Sequence, residues 1–109
     1  MELPELKAKL ENSSLMDAMN GHVLSFIEII EKNGVLNGKA TLENESGSGE
    51  DKEAAFELHK EGEFFILKTS LFASEQQEYK LIVKKYSIDF SLAQNPDPEY
   101  DFSYIINTN

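Results

Sequence analysis

The residues with the densest chemistry lie in ENESGSGEDKE, Glu43 to Glu53, where five carboxylates and one lysine surround a Ser-Gly-Ser-Gly hinge. Such a stretch could bind phosphate, hold a metal ion or attract a basic protein. A phosphate loop needs glycines followed by a lysine and a helix N-terminus, so that backbone N–H groups and one cation meet the anion. Here the glycines run into Glu50 and Asp51, which repel phosphate. A calcium site fixes its oxygens with a glycine at one defined turn, whereas two flexible glycines separate Glu45 from Glu50. The stretch reads as a solvated loop between two strands, acting through charge.

The other acidic pattern, Asp97, Glu99 and Asp101, has the first spacings of an EF-hand loop. Its sixth position is Phe102 where that loop requires glycine, and its twelfth is Thr108 where it requires glutamate. His22 and His59 are the only histidines, and neither has the spacing of a metal pair; either could be a general base beside one of the many carboxylates, with an enzyme acting through His59 as a third reading, but no nucleophile signature accompanies them. The chain has no cysteine and no G-x-S-x-G elbow. The expectation is a protein without catalytic activity, metal or cofactor. Tyr100, Phe102 and Tyr104 alternate with acids, which suits cation–π contact with a lysine-rich or arginine-rich partner. The same period of two also describes the core face of a last strand.

Charge is the strongest global signal. There are 20 Asp and Glu against 10 lysines and no arginine, a net charge of −10. Nucleic-acid binders neutralise phosphates with Lys and Arg, so this balance argues against DNA, RNA and anionic membrane surfaces and favours a basic protein. The sequence therefore predicts a non-catalytic acidic binding protein that neutralises or escorts a basic partner, of the inhibitor or toxin-immunity type. Its expected contact residues are Glu43, Glu45, Glu50, Asp51, Glu53, Glu57, Tyr100 and Tyr104. The competing expectation is a carrier of a small hydrophobic ligand, held in a cavity between helix and sheet and lined by Phe65, Leu67 and Ile88. No stretch approaches the roughly 18 apolar residues of a membrane span, and the missing cysteines fit a reducing compartment. A cytoplasmic location is the expectation.

Elements must position these residues, and 109 residues suffice for one domain with one core. Pro4 suits a first helical turn, and Leu3, Leu6 and Leu10 share one helical face. Ser14 and Asp17 resemble a second cap, and Asn20-Gly21 a stop, predicting a helical arm over 3–20 that breaks near Ser13. Residues 22–31 carry both helical spacing and β-branched side chains. Asn33-Gly34 is a strong hairpin signal and decides for strands at 22–31 and 35–43, with Ile27 opposite Ala40, Glu28 opposite Lys39 and Ile29 opposite Gly38. A further hairpin turns at Lys60-Glu61-Gly62. Its return strand, residues 63–72, is apolar on both faces and so central. Residues 78–92 read as one strand bent near Lys84-Lys85, and Asn95-Pro96-Asp97-Pro98 is a turn before the last strand. The predicted fold is α+β: a helical arm on a curved antiparallel sheet of about six hairpin-connected strands, a meander or half-open barrel. Its free edges would allow pairing with a second copy.

Overall fold

A computed structural model describes residues 1–17, 21–44, 50–94 and 101–108. One helix, α1 (Leu3–Glu11), is followed by eight strands: β1 (Ser13–Asp17), β2 (His22–Lys32), β3 (Val35–Asn44), β4 (Lys52–Glu61), β5 (Phe64–Thr69), β6 (Gln77–Val83), β7 (Ser87–Leu92) and β8 (Phe102–Thr108). Each strand pairs antiparallel with its neighbours in sequence, and β1 pairs with β8, so the sheet closes into a barrel. The antiparallel, hairpin-connected plan agrees with the sequence; eight strands replace six, and closure removes the free edges.

Residues 13–17 make the difference. The helix starts as expected: the Glu2 N–H donates to Glu5 Oε1 at 3.2 Å, and Pro4 lies in the first turn. It stops at Glu11 instead of continuing to residue 20. Ser13–Asp17 is extended because it is hydrogen-bonded on both sides, with Leu15 opposite Leu24 of β2 and Ile106 of β8. Two ladders and a buried Leu15 outweigh the weak local preference for a second helical turn. Ser14 and Asp17 are strand residues, not a cap.

The β2–β3 hairpin turns at Asn33 (φ 55°) and Gly34 (φ 76°), as its sequence requires. Its register holds for three pairs, down to Ile30 opposite Asn37, and then slips by one, so that Ile27 faces Lys39 and Phe26 faces Ala40. Glu28 and Ile29 together oppose Gly38, a β-bulge with Glu28 at φ 53°. The slip corrects the expected pairings of Ile27 with Ala40 and of Glu28 with Lys39, and makes Ile29 share its place opposite Gly38 with Glu28. It also reverses the parity of β2, which buries both Phe26 and Ile29 and exposes Ile27 and Ile30. That mixed pattern is why the segment also resembles a helix. A Cβ on Gly38 would lie 2.7 Å from the Glu28 carbonyl oxygen and 2.8 Å from that of Ile27, so only glycine fits there.

Residues 78–92 form two strands, not one bent strand. They reverse at Lys85-Tyr86, with Lys84 N–H donating to the Ser87 carbonyl at 2.8 Å and Val83 opposite Ile88. The hairpin between β4 and β5 turns on Gly62-Glu63, one residue later than expected, with Gly62 at φ 66°. Strand β5 ends at Thr69, short of the predicted residue 72. It is buried on both faces, through Phe65, Leu67 and Ile66.

Inside the barrel, Leu15, Leu24, Leu36, Phe56, Leu58, Leu67, Leu81, Ile88 and Phe90 join one core with the helix residues Leu3, Leu6 and Leu10. The barrel ends differ. Tight turns close one end at 33–34, 62–63 and 85–86, and α1 covers it. The opposite end is formed by the strand ends Asp17, His22, Asn44, Lys52, Thr69, Gln77, Leu92 and Phe102, with the connection 70–76.

Candidate functional site at the open end

The acidic stretch belongs to the open end. Glu43, Glu50, Asp51 and Glu53 are exposed where β3 passes to β4, and Glu57 is exposed further along β4. They differ in freedom. Asp51 Oδ1 accepts the Asn44 N–H at 3.0 Å, tying the start of β4 to the end of β3. Glu53 lies 3.6 Å from Lys39 Nζ, which also lies 3.7 Å from Glu28. Glu57 stands in register with Lys68. Glu45 and Tyr100 lie outside the described residues, as do Asp97 and Glu99. Asp101 is structural: its Oδ2 accepts the Leu92 N–H at 2.8 Å.

Tyr104 does not share that acidic face. It points into the barrel and is 3% exposed, which is the core-face alternative for the last strand. Its ring meets Phe72, Phe90 and Phe102 at centroid distances of 6.4, 5.5 and 5.9 Å. Phe72 sits within this group because of Thr69, whose hydroxyl donates to the Ala55 carbonyl at 2.9 Å and accepts the Leu71 N–H at 3.2 Å. The chain therefore folds inward directly after β5 and carries Leu71 and Phe72 with it.

A pocket of about 290 Å³ opens above these rings. Its walls are the inward-facing residues at the mouth ends of the strands: Asp17 of β1, His22 of β2, Leu42 of β3 and Lys52 of β4, over Leu71, Phe72, Phe102 and Tyr104. Asp17 and His22 are directly paired across β1 and β2, as are Leu42 and Lys52 across β3 and β4. Burial, with the negative charge of Asp17 as a second cause, pushes the Tyr104 hydroxyl up to about 12. Among the described residues no buried side-chain N or O is left without a hydrogen-bond partner.

The sequence singled out His22 but not this cluster. The signal was parity: Asp17 is two residues from Leu15, His22 two from Leu24, and Lys52 four from Phe56, so each shares the inward face of its strand. Reading it required knowing that residues 13–17 are a strand.

The space expected between helix and sheet is occupied. Leu3, Leu6 and Leu10 enter the core, and Phe65, Leu67 and Ile88 are sealed within it. Outside, α1 and β2 border a shallow groove lined by Pro4, Lys7, Ala8, Glu11 and residues 29–31. His59 is on the outer face of β4, 3.6 Å from Glu61 and remote from the mouth pocket. Among the described residues no three His, Asp or Glu side chains gather as metal ligands, and no helix is long and apolar enough to cross a membrane. In comparisons with known proteins the chain matches no family model, no curated sequence and no solved structure.

Proposed function

We propose that the protein works by binding, without catalysis, and that its partner is a basic protein which it neutralises or escorts. The observation that carries this reading is the gathering of unpaired acidic side chains at the end of the barrel opposite the helix. Glu43 and Glu50 are exposed there without an ion-pair partner among the described residues, in a molecule of net charge −10. Loops on a rigid scaffold are where binding surfaces are commonly built, and summed charge accelerates encounter with an oppositely charged surface.

The test separates the free carboxylates from the structural one. Glu43→Lys with Glu50→Lys should lower the association rate with a captured basic partner several-fold at low salt, with a smaller effect on dissociation. The melting temperature should hardly move, because neither side chain supports the fold. Asp51→Asn keeps an oxygen for the Asn44 N–H and should change association less. An association rate untouched by the double variant and by ionic strength would leave the acidic edge with a solubility role alone.

A second reading, a small-ligand carrier, is favoured by the mouth pocket. The pocket lies at the opposite end from the helix, with four charged or titratable side chains, Asp17, His22, Lys52 and Tyr104, at its walls, so a purely hydrophobic ligand is a poor match.

A further inference from the structure

We infer that the outer wall of the barrel at its seam, over β8, β1 and the first half of β2, is a contact face for a second copy of this chain. The wall faces away from the mouth pocket, and its role does not depend on the basic partner proposed above.

Three observations converge. The first is where charge is missing. Charged residues make up 28% of the chain, and each strand from β3 to β7 carries charge on its outer side, from Lys39 on β3 through Glu57, Lys68 and Lys80 to Asp89 on β7. Strand β8 has no charged residue, the only one in β1 is Asp17, which turns to the mouth, and β2 carries no Asp, Glu or Lys before Glu28. The second is a set of apolar side chains that the core does not use. Leu15, Leu24, Tyr104 and Ile106 take the inner face of these strands, so their neighbours face out. Ile105 stands opposite Met16, and Met16 opposite Val23, which makes one row across the seam. Ile105 is 54% exposed, Met16 and Val23 are half-buried, and none of the three joins the core. Ile27, 40% exposed, extends this surface along β2. The third is relief. Beside the bulky row runs a row of short polar side chains, Asn107 opposite Ser14, with Ser25 on the next strand two residues from Val23. A ridge beside a furrow is complementary to its own copy turned about a two-fold axis, since each ridge settles in the other furrow.

Charge selects the occupant. Two molecules of net charge −10 repel each other, and contact through any of β3 to β7 would also press charged side chains together or strip their water. The seam wall is the surface where that penalty is least. A basic partner finds no carboxylate there to read and is drawn instead to exposed Glu43, Glu50 and Asp51. Glu43 stands opposite Val23 at the margin of the wall, so part of the repulsion between copies remains and is open to screening by salt. The wall is also small. Three strands at a spacing of about 4.8 Å, with about 3.3 Å per residue, give a face on the order of 300 Å², below the about 800 Å² per partner of a stable complex. The dimer is therefore weak and reversible.

The experiment is sedimentation velocity of the intact chain, from micromolar to millimolar concentration, at about 0.1 M and about 1 M salt, where the screening length falls from about 10 to about 3 Å. The expected result is a reversible monomer–dimer equilibrium that tightens several-fold at the higher salt, because screening removes repulsion between two acidic molecules. Attraction to a basic partner weakens under the same change, so the two contacts are told apart by the sign of their salt response. Amide shifts that change on dilution should fall on Met16, Val23, Ile27 and Ile105 and their neighbours. Ile105→Glu sets a carboxylate on the ridge of each copy and should weaken the dimer about tenfold or more. Ala55→Glu adds the same charge at an exposed position of β4, on the far side of the barrel, and should change it by less than about twofold. Ile105→Ser, which adds no charge at this exposed site, should also weaken the dimer and keeps the result independent of any effect of the carboxylate on folding. A monomer at every concentration and both salts overturns the inference and leaves the wall to an uncharged partner of another kind. A dimer that salt weakens, that Ala55→Glu weakens as much as Ile105→Glu does, or whose shifts fall on another face overturns it as well. The measurement requires no basic partner, so failure here leaves the acidic edge untouched, and failure of the charge-reversal experiment leaves the seam wall untouched.

Discussion

Among the buried polar residues, each is held by a different means. Asp89, 5% exposed on the outer side of β7, accepts the Ser103 hydroxyl and lies 2.7 Å from Lys84 Nζ, so its charge is compensated locally. Thr69 is satisfied by two backbone partners. Tyr104 is a buried phenol, and for it burial acts on the ionisation of its hydroxyl. A phenol held above its usual value of 10, at about 12, is neutral in the folded chain when the unfolded chain would already ionise. The stabilisation from this group is therefore complete below about pH 10 and lost as pH rises through about 12. An absorbance titration should show a tyrosine that ionises only as the protein unfolds in alkali. Tyr104→Phe should move alkaline unfolding to higher pH, and at neutral pH it should cost no more than about 1 kcal/mol, because the buried ring is kept and at most one hydrogen bond is lost. Unchanged alkaline unfolding in that variant would rule out Tyr104 as the responsible group.

At the scale of elements, the β2 bulge shows how one small residue sets a register. Gly38→Ala brings a methyl group against two backbone carbonyls at 2.7 and 2.8 Å, and backbone cannot swing aside as a side chain can. The bulge must open or the strands must part, at a cost of about 2 kcal/mol by comparison with other overpacked sites. Thermal denaturation should register this as a loss of roughly 8 to 16 °C, from about 4 to 8 °C per kcal/mol in domains near this size; a loss under about 2 °C would show that the bulge is soft. The glycine was itself a legible sign, since an isolated glycine within a strand pattern marks a bulge or close backbone approach. The Asn33-Gly34 turn, the strands on either side of it and the core face of β8 were equally legible, because turn chemistry and a period of two act locally. The Lys85-Tyr86 reversal was not, as neither residue is a turn former and only the parity change between Val83 and Ile88 recorded it. Strand β1 was the hardest to read. Five residues with one buried leucine become extended because the next strand, β2, and the distant strand β8 accept them on either side, and nothing within the segment declares those partners. The mouth pocket depends on β1 through Asp17, so it was hidden for the same reason, whereas the acidic edge needed no fold to be seen.

The whole molecule is a ring of eight strands, and a ring has a seam. Seven of its eight pairings join strands adjacent along the chain, but the eighth sets Ser13 against Thr108, nearly the full length apart. Bringing such remote points together costs chain entropy that grows with the logarithm of the intervening length, about 4 kcal/mol for a segment of this size. The seven local hairpins can form and zip without meeting that cost. The seam is thus the step that decides when folding is finished, and until then β1 and β8 expose bare edges where other chains can attach. This order of events leaves a kinetic signature. Leu15→Ala, on the seam, should mainly accelerate unfolding and leave the refolding rate nearly unchanged, while Leu58→Ala, within the β3–β4–β5 zip, should slow refolding. If Leu15→Ala slows refolding in proportion to the stability it removes, the ends meet early and the zip follows. If the seam closes last, the helix end of the barrel is assembled first from short-range turns, and the mouth, where Asp17 comes beside Tyr104, is the last part of the chain to take its shape.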